Sequence, residues 1–481
     1  MKSKVCFLLL CSALGALILS GCSKQEDPVP SRNPNPNPPP STGLAEYEKI
    51  NKFIIDGVQT FYLWEAETDW KQYNSREKLA VYDTDHERLF NRLRYKDDKW
   101  SLLTDDIRSL ENEFAGISTT FGYALQFFYH PFVQGEVIAV VLYTSKDSPA
   151  SVAGLKRGDV IVEMDGAKIT ANNYLDLYFA PALRLRCGQV KMDVREITPL
   201  PETVDLVAEE MYEDPVHTVK IIDVGGRKIG YMCYMGYTPD SEKALIREFS
   251  TFKSEGVEDV VLDLRYNSGG YAQTALLLSS ILAPENVVRN EEIFLEHHYN
   301  ALLESVISQE EELHEVFVNT VSVNMNLSRL YVLTSERTAS ASEATIVGLE
   351  PYMDIIQIGD STSGKYCGGI LLSPEDMYEE KSYYSDFADW GMYIMIYRFC
   401  NKKGISSFMG RLAPTIKAEE NPFNLKPFGD EDDPLLGRAI AHILGVNYVE
   451  QRSAKITLPF SALPDPKRSA KELLIASPPH L

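Results

Sequence analysis

The fold turns on the stretch from Leu330 to Gly369, L-Y-V-L-T-S-E-R-T-A-S-A-S-E-A-T-I-V-G-L-E-P-Y-M-D-I-I-Q-I-G-D-S-T-S-G-K-Y-C-G-G. Leu330–Thr334 is a short apolar run and predicts a buried strand. Glu336–Ala341 is small and polar and predicts a turn, and Glu343–Leu349 suits a helix. Asp354–Ile358 predicts a second strand, followed by a loop over 359–364. A right-handed crossover makes the two strands parallel, so Ser340 and Lys365, each following a strand, fall on the same carboxyl edge. Open α/β sheets bind ligands at that edge.

A serine and a lysine brought together there can perform acyl transfer. The hydroxyl is a weak nucleophile that needs a base. A lysine serves only if burial lowers its pKa from about 10.4 towards neutrality. A helix beginning at Ala341 would aim backbone N–H groups at a developing oxyanion. Ser340-x-x-Glu343 is equally a capping box, a common structural pattern with no chemistry.

Working outward, the chain has 481 residues, 44% of them hydrophobic, which is ample for several packed domains. A formal charge of −22 argues against a nucleic-acid partner. Residues 1–21 read as a secretion leader, with Lys2 and Lys4 ahead of an apolar run from Val5 to Leu19. Leu19-Ser20-Gly21-Cys22 looks like a bacterial lipobox, which implies lipidation of Cys22. The expected location is therefore a bacterial cell envelope, lipid-anchored at the outer membrane, the periplasmic face or the cell surface. Residues 22–44 are polar and proline-rich and read as a tether. Cys187, Cys233, Cys367 and Cys400 form no C-x-x-C pair, so zinc and redox motifs are unsupported.

Residues 45–112 read as a helical N-terminal region, with amphipathic spacing over Tyr47–Leu63 and Asp85–Arg94. Residues 113–197 turn to β-type runs: Tyr123–Phe128, Val137–Val141, Asp159–Met164 and Val190–Val194. Between them, S-P-A-S-V-A-G-L-K-R-G-D-V-I (148–161) and Asp165-Gly166 resemble the PDZ domain of bacterial proteases. That resemblance implies strand-addition binding of peptide C-termini, with Phe121, Gly122 and Tyr123 in the carboxylate loop. Residues 198–216 are acidic, carry three prolines and read as a connector. Beyond them strand and helix alternate: Lys228–Met232, Ser241–Lys253, Val260–Leu264, then D-L-R-Y-N-S-G-G (263–270) and a helix through Leu282. Glycines directly after a strand let backbone approach a ligand.

D-L-R-x-N-x-G-G, T-A-S-A-S-E and G-K, in that order, resemble peptidase family S41, the carboxyl-terminal processing (tail-specific) serine proteases. The resemblance covers about residues 45–445. It implies an α+β multidomain chain: a helical N-terminal region, a PDZ-like β domain at 113–197 and a ClpP/crotonase-like α/β protease core at 198–445. It implies Ser340 as nucleophile and Lys365 as general base. The N–H of Ala341 and one from Gly269 or Gly270 would form the oxyanion hole. The chain departs from the family at Gly369, where a glutamine usually helps to position the lysine.

Other readings compete. Gly359-x-x-x-x-Gly364-Lys365 nearly matches a phosphate-binding loop, but Tyr366 replaces the Ser/Thr that would ligate magnesium. A crotonase-like acyl-CoA enzyme would share the paired N–H donors but not the PDZ segment. The histidines show no metal spacing, and Glu310–Glu312 reads as a solvated helix face, so no metal or cofactor is implied. Residues 446–481 read as an edge addition with a loose tail. The reading that results is an exported, lipid-anchored serine endopeptidase acting on peptide or protein C-terminal segments. Its alternative is a non-catalytic peptide-binding lipoprotein that keeps the same fold.

Overall fold

The structure is a computed structural model. It describes residues 46–475 apart from 74, 76, 77, 79–84, 192, 308–312, 408, 409, 449–460 and 467–473. The leader, Cys22, the tether and Glu310–Glu312 lie outside the described residues.

Three helices open the described chain: α1 (Glu46–Phe61), α2 (His86–Leu93) and α3 (Ile107–Phe114). Asp85 and Asp106 cap the last two, their carboxylates accepting from Arg88 N and Ser109 N. Phe53, Ile54, Val58 and Phe61 form the buried stripe of α1. They join one apolar cluster with Leu262, Val332 and Ile394 of the later core. The helical region therefore packs directly on that core.

Next comes an antiparallel sheet of β1 (Tyr123–Tyr129), β2 (Val137–Thr144), β3 (Val160–Met164), then helix α4 (Tyr174–Tyr178), β4 (Ala182–Lys191) and β5 (Glu196–Pro199). The order is β1-β2-β3-β4-β5, which leaves β1 on an edge. The strand expected at Val190–Val194 instead runs from Ala182 to Lys191. Leu183 and Leu185 face inward while Ala182 and Arg184 are exposed, a period-two pattern that the sequence reading passed over. The acidic stretch 198–216 is more than a connector. Val204–Val207 pairs with β4, and Glu209–Tyr212 pairs with Ile117–Thr120.

The core follows, with β6 (Val216–Val224), β7 (Arg227–Tyr234), α5 (Glu242–Ser254) and β8 (Asp259–Asp263). A two-residue strand β9 (Gly270–Tyr271) leads into α6 (Ala272–Leu282), then β10 (Ile293–Tyr299). The decisive stretch forms β11 (Arg329–Thr334), α7 (Ala341–Leu349), β12 (Asp354–Gly359) and β13 (Cys367–Leu372). The last elements are β14 (Gly391–Cys400), β15 (Ile416–Lys417), α8 (Pro434–Leu444) and β16 (Leu474–Ile475).

One sheet has the order β6-β7-β8-β11-β12-β15, parallel from β7 onward. The predicted parallel pairing is present, with Leu333 opposite Ile358 and Thr334 opposite Gly359. Its strands are apolar on both faces, as parallel strands covered by helices must be. Leu330 and Val332 belong to the cluster shared with α6 and α7, whereas Tyr331 and Leu333 belong to the cluster with Leu436 and Ile440 of α8. A second sheet runs β9-β16-β13-β14-β10. A strand thus follows Lys365, which removes the phosphate-loop reading, since that motif requires a helix there.

The motif D-L-R anchors this frame. Arg265 is fully buried and donates to Asp263 at 2.9 Å, to Glu420 at 2.7 Å and to Asp433 at 2.8 and 3.0 Å. Arg157, from the segment preceding β3, reaches the same Glu420 and also donates to Tyr266 Oη at 3.1 Å. One ion network therefore fixes the turn after β8 and ties the antiparallel sheet to the core. Removing one member of such a buried set typically costs about 3–5 kcal/mol, because the others are left uncompensated.

Candidate active site

Three turns converge at the carboxyl edge of the parallel sheet. The turn after β8 carries Asn267–Gly270, the turn after β11 carries Ser340, and the loop after β12 carries Lys365. Backbone and side-chain bonds sew them together. Ala339 N and Ser342 Oγ both donate to Asn267 O, each at 3.1 Å. Thr338 Oγ1 donates to Leu264 O at 2.8 Å, and Ser363 N donates to Thr338 O at 2.9 Å.

Glu343 is the centre of this stitching. Its Oε2 accepts from Ser340 N at 3.0 Å and from Lys365 N at 2.8 Å. Its Oε1 accepts from Gly364 N at 2.8 Å and from Thr362 Oγ1 at 2.5 Å. The capping-box half in which the acid returns to the N-cap N–H is therefore present, but the same oxygen also holds the lysine turn. Burial pushes the Glu343 carboxyl up to about 7, even against these four donors, which favour the charged form.

Ser340 sits just ahead of α7 with φ 61° and ψ −115°, a region that non-glycine residues rarely adopt. Holding a side-chain-bearing residue there costs about 1–3 kcal/mol, which the surrounding bonds must sustain. Ser340 is fully buried, and among the described residues its Oγ has no hydrogen-bond partner. The Ser340 side chain faces the Glu343 N–H in the arrangement of a capping box but makes no hydrogen bond to it, so capping does not consume the hydroxyl.

Lys365 is also fully buried. Its Nζ donates to Tyr393 Oη at 3.4 Å, and it lies 5.3 Å from the Tyr393 ring centre and 5.8 Å from that of Trp100. Gly369 is closed to a side chain. A Cβ there would lie 2.5 Å from Met395 Cε and 2.7 Å from Ile394 O. Tyr393, on β14, contacts the lysine amine in a structure whose β13 has no space for a glutamine at 369. Sequence reading missed Tyr393 and Trp100, because their proximity arises from lateral strand packing far along the chain.

Of the oxyanion candidates, Ala341 is the first residue of α7, so its N–H has no acceptor within the helix. Gly269 N is already given to Asn267 Oδ1 at 2.9 Å, which leaves Gly270 as the better second donor. Gly270 has φ 136°, and a Cβ there would lie 2.2 Å from Tyr237 O, so only glycine fits. Ser268, Gly269 and Gly270 border a cleft of about 100 Å³ together with Tyr237, His217 and Glu213.

In the antiparallel sheet, Phe121 and Tyr123 line a separate cavity of about 430 Å³ with Tyr178 and Phe179. Gly122 N donates to Thr120 Oγ1 at 3.0 Å, so this N–H is committed within the protein. Among the described residues, Cys187, Cys233, Cys367 and Cys400 form no disulfide. Cys367, on β13, is fully buried, and burial raises its thiol pKa. Among the described residues, one group could hold a metal: Glu296, His298 and Cys400, whose donor atoms lie within 4.8 Å of one another. No such set is expected from the spacing of the histidines along the chain. Here Glu296 and His298 lie two apart on β10, so they share a strand face.

Residues 228–417 match the family model described as Peptidase family S41. The carboxyl-terminal-processing protease of Picosynechococcus is 26% identical over 298 residues, 61% of this chain and 66% of that protein. The carboxy-terminal processing protease CtpA of Bacillus subtilis is 23% identical over 303 residues, 62% of this chain and 56% of its own length. The chain thus spans less than two thirds of the length of these relatives. A crystal structure of a Bacteroides fragilis NCTC 9343 protein assigned as an S41 protease superposes with a TM-score of 0.68 at 24% identity, covering 86% of this chain and all of that one. The S41 resemblance read from the motifs is thereby borne out over residues 228–417.

The raised carboxyl of Glu343 makes a signed prediction. Between about pH 4.5 and 7 the folded chain holds a proton there that the unfolded chain has lost, so stability falls as pH rises through that window. The effect is on the order of 3 kcal/mol. Glu343→Gln lacks it, so urea unfolding should show the variant gaining on wild type from pH 5 to pH 8. If wild type gains instead, the four donors outweigh burial.

Proposed function

We propose that this chain is a serine-type endopeptidase in which Ser340 is the nucleophile and Lys365 the general base. The observation that carries the reading is the single carboxylate oxygen of Glu343, which accepts from the backbone N–H of both residues. A neutral Lys365 takes the Ser340 hydroxyl proton as Oγ attacks the scissile carbonyl. The oxyanion then receives the N–H groups of Ala341 and Gly270. Lys365 returns the proton to the leaving amine, and water, activated the same way, releases the acyl group. Complete burial of Lys365 supports the neutral amine this requires. The sheet at 117–207 is read as a PDZ-type domain that presents peptide segments to the site by strand addition.

A second reading, a non-catalytic peptide binder, draws on Gly369 and on the absence, among the described residues, of a hydrogen bond to Ser340 Oγ. Peptide cleavage separates the two. Ser340→Ala and Lys365→Ala should each lower turnover by roughly a thousandfold or more, with the double variant little worse, since members of a catalytic unit are non-additive. Turnover should rise with pH through an apparent pKa below about 10.4. Equal cleavage by all four proteins excludes the dyad, and no cleavage by wild type leaves the binder.

Export and anchoring through Cys22 are part of the proposal and rest on the lipobox-like Leu19–Cys22. No helix among the described residues is long and apolar enough to cross a membrane. A lipidated Cys22 would supply acyl chains, and two suffice for stable attachment. Cys22→Ser should move the protein from the membrane to the soluble fraction. Retention of the variant in membranes contradicts the anchor.

A further inference from the structure

The edge of β1 is not free. Residues 461–463 add to it as an antiparallel neighbour, with Ala462 bridging Phe128. Tyr129 N donates to Ser461 O at 3.0 Å, Leu463 N to Phe127 O at 2.9 Å, and Gln126 Nε2 to Leu463 O at 3.0 Å. Leu463 is 6% exposed and belongs to the cluster of Leu125, Phe127, Tyr174 and Tyr178 formed by β1 and α4. The arrangement is that of an extended peptide held by main-chain bonds on one side and an apolar anchor on the other. The anchor is internal, since the chain continues past it. Asp465 then pairs with Arg337 at 2.9 Å, and Arg337 also contacts Gln126 of β1. Arg337 stands three residues before Ser340. Further along, β16 lies between the site's own strands, parallel to Gly270–Tyr271 on one side and to Gly369 on the other.

We propose that the C-terminal segments 461–466 and 474–475 are a built-in competitor that occupies the peptide path of this chain. The first holds the β1–α4 groove and the second pairs beside the Gly270 donor. A ligand of the groove is an extended segment with an internal leucine-like residue, and it binds without a free carboxylate. A substrate must displace the tail before it reaches Ser340. The two described segments stand at the groove first and at the site second in chain order, whereas a substrate held by its C-terminus would run from site to groove. That order suits a blocking element rather than a product. The proposal rests on the peptidase reading for its consequence, but the groove's occupancy can be measured without turnover.

The test uses the full chain carrying Ser340→Ala, with and without Leu463→Asp. The probe is a fluorescent, N-acetylated peptide of this chain's residues 459–467, as free acid and as amide. Occupancy by the tail lowers apparent affinity by the fraction of time the groove is open. Leu463→Asp should therefore tighten probe binding by roughly tenfold or more, equally for acid and amide. Asp465→Lys, which reverses the partner of Arg337, should tighten it by a smaller factor and guards against misfolding of the first variant. In the chain with Ser340 intact, Leu463→Asp should lower KM for a peptide substrate with kcat nearly unchanged. Probe affinity unchanged in both variants, with circular dichroism like that of wild type, overturns the proposal whether or not peptides are cut. Binding of the acid alone overturns the internal-anchor claim.

Discussion

A buried carboxylate must find donors, and Glu343 finds four of them in the two turns whose mutual placement matters most. Its two oxygens cannot be satisfied unless the helix start at Ser340 and the loop 362–365 lie against each other. Leaving any of those N–H groups unpaired in a dry interior costs about 1–3 kcal/mol. The requirement therefore acts in both directions: the acid needs the turns, and the turns need the acid. The strained backbone of Ser340 is held in this way, by bonds on both sides of it, with its hydroxyl left uncommitted.

The second constraint lies deeper. Arg265 gathers Asp263, Glu420 and Asp433 beneath the turn that bears Gly269 and Gly270, and Arg157 brings the antiparallel sheet to the same acid. The Arg157 guanidinium also lies over the Phe428 ring at 4.3 Å. A planar guanidinium with several fixed donors can serve three carboxylates at once, which a lysine cannot. Through Arg265 the glycine turn is thus referenced to Glu420 and Asp433, 155 and 168 positions further along, and the antiparallel sheet shares that reference.

Much of this was legible in the chain. Parallel strands buried on both faces must be apolar runs, so Leu330–Thr334 and Asp354–Ile358 announced themselves, and the crossover rule then put Ser340 and Lys365 on one edge. Two amphipathic helices at the start were equally plain. What escaped depends on lateral contacts. Tyr393 reaches Lys365 across neighbouring strands of the second sheet, and nothing in its local sequence marks it. Glu343 looked like a capping acid because half of its role is that. Leu463, one leucine among prolines, gave no periodic signal, since a single-anchor extended segment has none. The strand Ala182–Lys191 did carry alternation, with Leu183 and Leu185 each followed by an arginine, and could have been read.

The most direct measurement of the central claim is the rate at which a fluorophosphonate labels Ser340 in wild type, Ser340→Ala and Glu343→Ala, with circular dichroism on each. If one carboxylate holds nucleophile and base in register, wild type labels, Ser340→Ala does not, and folded Glu343→Ala labels slower by roughly a hundredfold or more, the cost of a small misplacement of reacting groups. Labelling of Glu343→Ala at the wild-type rate, or wild type no faster than Ser340→Ala, contradicts the account.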